Sequence, residues 1–177
     1  MLADSDPNLV FTSVAHRIDL YLLKKSFRQV RQSKSAGVDK ITAKEYAKDL
    51  DENLYNLYQR LRRGQYVATP VKRIWIDKEG GKKRPIGITA LEDKIVQGAL
   101  QEILEAIYEQ DFLPMSYGYR PNLSAQDAVR DLTFDLQFGC YGYVVDADIC
   151  SFFDNMYHYW LLTMLQERID DRAFLAL

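Results

Sequence analysis

The run Tyr143-Val144-Val145-Asp146-Ala147-Asp148-Ile149-Cys150-Ser151-Phe152-Phe153-Asp154 constrains this chain more than any other stretch. An apolar segment leads into two acids, a paired aromatic follows, and a third acid closes it. Read as a strand over about 141–149, period two puts Val144, Asp146 and Asp148 on one face. Val145, Ala147 and Ile149 then face the other way, into a core. A carboxylate at the end of a mostly buried strand is costly unless it is paired or holds a metal. Asp148 therefore caps the helix that follows, meets a cation, or ligates a metal ion, and the sequence upstream bears on the choice.

A chain of 177 residues with 47% apolar and 12% aromatic content can bury a core, as one domain or two small subdomains. Met1–Pro7 has neither a basic n-region nor an apolar h-region, and no window reaches the eighteen apolar residues of a membrane span. Cys140 and Cys150 flank the proposed strand, which would hold them ~30 Å apart at about 3.3 Å per residue. A disulfide needs Cα atoms within about 7 Å, so a reduced, cytoplasmic protein without membrane partners is expected.

The net charge of −2 hides an asymmetry. Residues 24–84 carry seventeen Lys and Arg against seven Asp and Glu, whereas residues 85–177 carry five against fifteen. Such an imbalance marks either a polyanion-binding half or helices with solvated cationic faces.

The periodicity predicts a mostly helical chain with a few strands. A helix is expected over about 9–32, then a polar loop, Ser33 to Asp39. Thr42-Ala43-Lys44-Glu45 is a capping box opening a helix with Tyr46, Leu50, Leu54, Leu57 and Leu61 on one stripe. Arg60, Arg62 and Arg63 sit in its last turn, where cations suit the dipole, and Gly64 ends it. Val71–Ile76 and Lys82–Ile88 form a hairpin around Gly80-Gly81, with Pro85 at an edge. Thr89 and Glu92 form a second box, opening a helix to about Asp111, and Ser124 with Asp127 opens another that Gly139 closes. A helix over about 156–168 follows the proposed strand, and Asp170-Asp171 caps a last one.

Four cations, Lys78, Lys82, Lys83 and Arg84, gather at a glycine-flexible hairpin tip, which suits a triphosphate as well as it suits solvent. Gly81-Lys82-Lys83-Arg84-Pro85-Ile86-Gly87-Ile88 is followed in order by Asp93-Lys94-Ile95-Val96-Gln97 and by Ser116-Tyr117-Gly118-Tyr119-Arg120-Pro121. Then come Asp148-Ile149 and Phe153-Asp154. That order and spacing resembles the fingers and early palm of reverse transcriptases of the group II intron, non-LTR-like, lineage. Ala36-Gly37-Val38-Asp39 resembles their N-terminal extension block, so the resemblance covers about Phe27 to the end. It departs from the usual pattern at Ile88-Thr89-Ala90, often Ile-Pro-Thr, at Cys150, and at Tyr157 before His158.

The resemblance implies an α+β fold: helix-rich fingers with a basic β-hairpin, plus the first strand and helix of a right-hand palm. It places an N-terminal helical extension at 1–65, fingers at 66–139 and the beginning of the palm at 140–177. Asp148 matches the first catalytic aspartate, a ligand of two Mg²⁺ ions, and the Ile149 carbonyl matches a second ligand. Phe153, five residues after Asp148, matches the aromatic gate that crowds a ribose 2′-OH. Lys78 and Arg84 match residues that grip the incoming triphosphate, with Lys82 and Lys83 beside them. Arg120 reads as a template contact or a local salt bridge; Lys34, Arg60, Arg62 and Arg63 are candidate contacts to nucleic acid. Asp146 lies too early relative to Phe153-Asp154, and His16 and His158 have no partners at metal-ligand spacing.

The implied activity is RNA-directed DNA synthesis, with an RNA template or intron RNA, a DNA primer and dNTPs as partners. The aromatic-X-Asp-Asp turn of a complete palm is absent from these residues, and Asp170-Asp171 has no hairpin before it. The chain alone is therefore expected to be inactive, and its partner to be the remaining part of the polymerase or a second copy. The alternatives are a non-catalytic RNA-binding module, in which the basic segment grips phosphates, and one half of a split polymerase.

Overall fold

The computed structural model describes residues 9–30, 35–77, 81 and 83–177. Lys34, Lys78 and Lys82 lie outside them. The fold is α+β, with helices α1 (Leu20–Val30), α2 (Ala43–Tyr46), α3 (Leu50–Arg62), α4 (Leu91–Tyr108), α5 (Ala125–Phe138), α6 (His158–Gln166) and α7 (Arg172–Leu175). Strands β1 (Lys72–Asp77) and β2 (Lys83–Ile88) make an antiparallel pair. No helix among the described residues is long and apolar enough to cross a membrane. The described residues divide into two compact units, those within 10–105 with 169–177, and residue 9 with 106–168.

In the first unit the apolar stripes decide what packs. Leu22, Leu23 and Phe27 of α1, Leu54 and Leu57 of α3, and Leu91, Ile95, Val96 and Ala99 of α4 are buried. Phe27 meets Tyr46 with ring centroids 5.9 Å apart. The expected helix over 9–32 is divided: a 3₁₀ turn at Ala15–Arg17 precedes α1. The break falls at Asp19, whose carboxylate accepts the Leu22 amide at 2.8 Å, a side-chain cap that favours a new start over a continuous helix. The helix expected from Thr42 is likewise interrupted, by a 3₁₀ turn at Ala47–Asp49, where the Asn53 side chain donates to the Tyr46 carbonyl at 3.0 Å. The Thr42–Glu45 capping box that opens it forms as expected. So does its end: Gly64 (φ 64°) takes the left-handed conformation, with Gly64 N to Leu61 O at 3.1 Å and Gln65 N to Arg60 O at 2.8 Å. Those two bonds are a Schellman motif, and the positive φ is why glycine serves there.

The Thr89–Glu92 pattern does not open this helix as a box, because the helix starts one residue later. Ala90 accepts the first helical bond, from Lys94 N at 3.1 Å, which makes Ala90 the cap and Asp93 the third helical residue. Asp93 is buried, and it accepts Tyr66 Oη at 2.5 Å and Thr69 N at 3.1 Å. Burial first, and that hydrogen bond next, push the Tyr66 hydroxyl well above its ordinary pKa. Glu92 instead ties helices together, receiving Tyr46 Oη at 3.2 Å and Arg60 Nη2 at 2.6 Å.

The C-terminal segment returns to this unit. Phe11 and Ile169 form a parallel bridge, and Asp170 N donates to Phe11 O at 3.0 Å. Asp171 caps α7 by accepting Ala173 N and Phe174 N, and its other oxygen accepts Val14 N at 2.7 Å and Ala15 N at 2.8 Å. The expected cap is thus also a clamp on the N-terminal segment.

The second unit holds α5 and α6. Ser124 and Asp127 form the expected box at the start of α5, with Gly139 at its C-cap. Tyr108 Oη donates to the Leu165 carbonyl at 3.2 Å, and Arg168 pairs with Asp111 at 3.0 Å. The expected first palm strand is not a strand here: residues 141–149 carry no ladder. A strand needs a hydrogen-bonded neighbour, and none of the described residues supplies one. Val145 and Ile149, expected in a core, are exposed.

Candidate functional site

The sequence places its candidates in three places: the hairpin, the Ser116–Pro121 loop and the Asp148–Asp154 turn. In the hairpin Trp75 pairs with Pro85, Ile76 with Arg84 and Asp77 with Lys83. Alternation therefore puts Ile74, Ile76, Arg84, Ile86 and Ile88 on one face and Arg73, Trp75, Asp77, Lys83 and Pro85 on the other. Ile74, Ile86 and Ile88 are half-buried, so Arg84 projects from the inner face, and Lys83 from the outer one. The two described cations of the proposed grip do not act on the same side of the sheet.

The Ala36–Asp39 block packs on the start of α4. A Cβ on Gly37 would lie 2.6 Å from Ala90 Cα, so only glycine allows the loop to come this close. Lys94 Nζ donates to the Ser35 carbonyl at 2.9 Å, fixing the same loop. Arg60 is engaged by Glu92, whereas Arg62 and Arg63 are exposed at the end of α3.

Arg120 is committed locally. Its Nε and Nη2 donate to Glu109 Oε1 at 3.0 and 2.7 Å, and Nη1 donates to the carbonyls of Leu113 and Ser116 at 3.1 and 2.9 Å. Its guanidinium also lies 5.2 Å from the centre of the Phe112 ring. Of the two readings of this arginine, the local salt bridge is the one its geometry displays. Next to it, Tyr117 Oη donates to Asp131 at 2.6 Å, and that bond first of all holds the Asp131 carboxyl below its ordinary range.

Asp148 and Ile149 are exposed ahead of a turn closed by Asn155 N to Ser151 O at 3.0 Å. Ser151 takes a positive φ of 51°, and the Phe152 and Phe153 rings meet edge to face at 5.4 Å. Phe153 is the more exposed of the two, 79% against 48%. The turn thus presents Phe153 outward, five residues after Asp148.

A divalent ion is what the family resemblance implies for Asp148. Among the described residues no three His, Cys, Asp or Glu side chains converge to hold a metal. Mg²⁺ wants near-octahedral oxygen coordination, and one carboxylate with one carbonyl does not make a two-ion site. The residues present therefore do not fit the full metal centre by themselves.

The sequence shows Asp93 within a motif but not its role, and Glu109 has no signature at all; the partners of each, Tyr66 and Thr69 for Asp93 and Arg120 for Glu109, lie eleven or more residues away. Comparison with known proteins adds the following. The signature of the reverse transcriptase (RNA-dependent DNA polymerase) family matches residues 76–173. Protein YkfC of Escherichia coli (strain K12) is 37% identical over 163 residues, which is 88% of this chain and 42% of that protein. The group II intron-encoded protein LtrA of Lactococcus lactis subsp. cremoris is 38% identical over 122 residues, 68% of this chain and 20% of that protein. The nuclear intron maturase 2, mitochondrial, of Arabidopsis thaliana is 30% identical over 119 residues, 63% and 16% respectively. The chain spans less than half the length of each of these relatives.

Proposed function

This chain belongs to the reverse transcriptase family, in its group II intron-encoded branch, and from that membership we propose that it carries the nucleotide-gripping and first-acid part of an RNA-directed DNA polymerase. The reaction is transfer of a deoxynucleotide to a primer 3′ end on an RNA template. Arg84, with Lys78 and Lys82 near it in sequence, neutralises the triphosphate, where bidentate guanidinium bonding suits phosphate oxygens. Phe153 crowds the sugar 2′ position. Asp148 is one carboxylate of a donor set completed by groups outside these residues. Such displacements rest on positioning and charge neutralisation, so a grip and an acid on separate elements suit the chemistry.

The observation that carries the reading is the Ser151–Asn155 turn. It leaves Asp148 accessible and Phe153, at 79% exposure against 48% for Phe152, the more outward of the two rings. Primer extension on an RNA template with dNTPs and Mg²⁺ tests it, using a protein of the relatives' length that carries this chain. Extension lost on Asp148→Asn, with an unchanged circular dichroism spectrum, is the expected result. Extension near the unsubstituted rate would remove Asp148 from the mechanism. The second reading, a non-catalytic RNA-binding module, is favoured by the basic balance of residues 24–84. Salt-sensitive RNA binding with no extension by the longer protein would select it.

A further inference from the structure

The outer face of the hairpin is built differently from the Arg84 face. Arg73, Trp75 and Asp77 of β1 stand there with Lys83, Pro85 and Gly87 of β2. The Trp75 indole is 59% exposed, and the residue directly across from it is Pro85, which donates no hydrogen bond and lies low on the sheet. Gly87, opposite Arg73, has no side chain, and Val71 fills the space: a Cβ on Gly87 would lie 2.6 Å from Val71 Cγ1. The result is a shallow apolar strip of Val71, Trp75 and Pro85 with a cation on either side of the indole. Among the described residues neither Arg73 nor Lys83 makes an ion pair, and the one acid on the face, Asp77, is the cross-strand neighbour of Lys83.

The geometry points to a single-stranded nucleic-acid subsite on this outer face, in which a base stacks on Trp75 while Arg73 and Lys83 meet the flanking phosphates. An indole left in water has no structural return, whereas stacking against a base removes it from water without demanding a sequence. Charge selects the partner. Lys72, Arg73, Lys83 and Arg84 face one acid, Asp77, within the two strands, and this hairpin closes the segment in which Lys and Arg outnumber acids seventeen to seven. A polyanion with flat apolar units matches that surface; an acidic peptide would satisfy the cations but leave the indole without a stacking plane. The subsite lies on the opposite face from Arg84, so it goes beyond the triphosphate grip and does not depend on it.

The test is binding of a fluorescein-labelled, unstructured 12-nucleotide RNA to the 177-residue chain, followed by anisotropy. Trp75 and Trp160 are its two tryptophans, so Trp160→Phe leaves Trp75 as the reporter. The RNA is expected to quench Trp75 emission. Trp75→Ala should weaken binding about 10-fold, within the range seen for base–aromatic stacks, and Trp75→Phe should restore most of it. Arg73→Gln and Lys83→Gln should each lower the slope of log affinity against log salt by about 1. Arg84→Gln should leave the quench in place, whatever it does to dNTP use by the longer protein. Absent quenching, affinity within 2-fold of wild type for Trp75→Ala, or equal affinity for a fully paired RNA duplex would overturn the subsite. Those results would leave the polymerase reading intact, because primer extension reports on that separately.

Discussion

Asp171→Ala should cost far more than the loss of a helix cap. The carboxylate accepts four backbone amides: Ala173 and Phe174 at 3.0 and 3.2 Å, and Val14 and Ala15 at 2.7 and 2.8 Å. Losing the cap alone costs about 1 kcal/mol. Val14 is buried, so its amide is left without a partner, which adds roughly 2 kcal/mol; Ala15 is half-buried and recovers part of its loss from water. The sum is about 3 kcal/mol, or a Tm lower by roughly 6–12 °C for a chain of this size. Asp171→Asn keeps one acceptor oxygen and should lose roughly half as much. Partial burial pushes this carboxyl upward, but its four backbone hydrogen bonds together hold the pKa below its usual value. A depressed folded pKa means the ionised group stabilises the fold above the unfolded pKa, near 4, and that this stabilisation is lost as pH falls through the folded value. The gap between wild type and Asp171→Asn should therefore be constant near neutrality and close below about pH 4. Thermal melts by circular dichroism across pH, with hydrogen exchange at the Val14 and Ala15 amides, check both parts. A cost of only about 1 kcal/mol with unchanged exchange at Val14 would reduce Asp171 to a cap and refute the clamp.

Two further outcomes are expected. Phe153→Ala, assayed in a protein of the relatives' length, should admit ribonucleotides in primer extension while stability shifts by less than about 0.5 kcal/mol, because the ring is already exposed; unchanged discrimination would move the gate to another residue. Arg120→Lys keeps the charge but loses the fork to Glu109 and the bonds to Leu113 and Ser116, so it should cost about 2 kcal/mol and speed chymotryptic cleavage at Phe112, Tyr117 and Tyr119. Wild-type resistance to cleavage would mean the loop does not depend on this arginine.

The features legible in the sequence are those whose partners lie within three or four residues. The boxes at Thr42–Glu45 and Ser124–Asp127 form as read, because each side chain and the amide it needs are fixed by the same turn of helix. Gly64 ends α3 for the same reason. Thr89–Glu92 has the identical pattern and fails. Glu92 meets Arg60 and Tyr46, residues thirty-two and forty-six positions away, and Asp93 is drawn to Tyr66 and Thr69. The local pattern lists which donors an acid can take, and packing decides which it meets.

The same division governs the candidate site. In the hairpin β1 supplies the pairing that makes period two real, and it separates Arg84 from Lys83, which the sequence alone groups at one tip. It says nothing reliable at 141–149, where the alternation is as clear in sequence but no neighbouring strand exists among the described residues to fix the backbone. A strand's faces are properties of a sheet, and a one-residue change of pairing would exchange Asp148 with Ile149. Which residue of that run meets a substrate therefore depends on what pairs with it. Asp148→Asn and Phe153→Ala bear on this jointly: the two positions differ by five residues, an odd spacing that cannot share one face of a regular strand. The Ser151 turn, with its positive φ, is the element that breaks the alternation between them. If Asp148 and Phe153 both act on one nucleotide, that turn is what lets them, and Ser151→Pro, which forbids a positive φ, should lower synthesis as Asp148→Asn does.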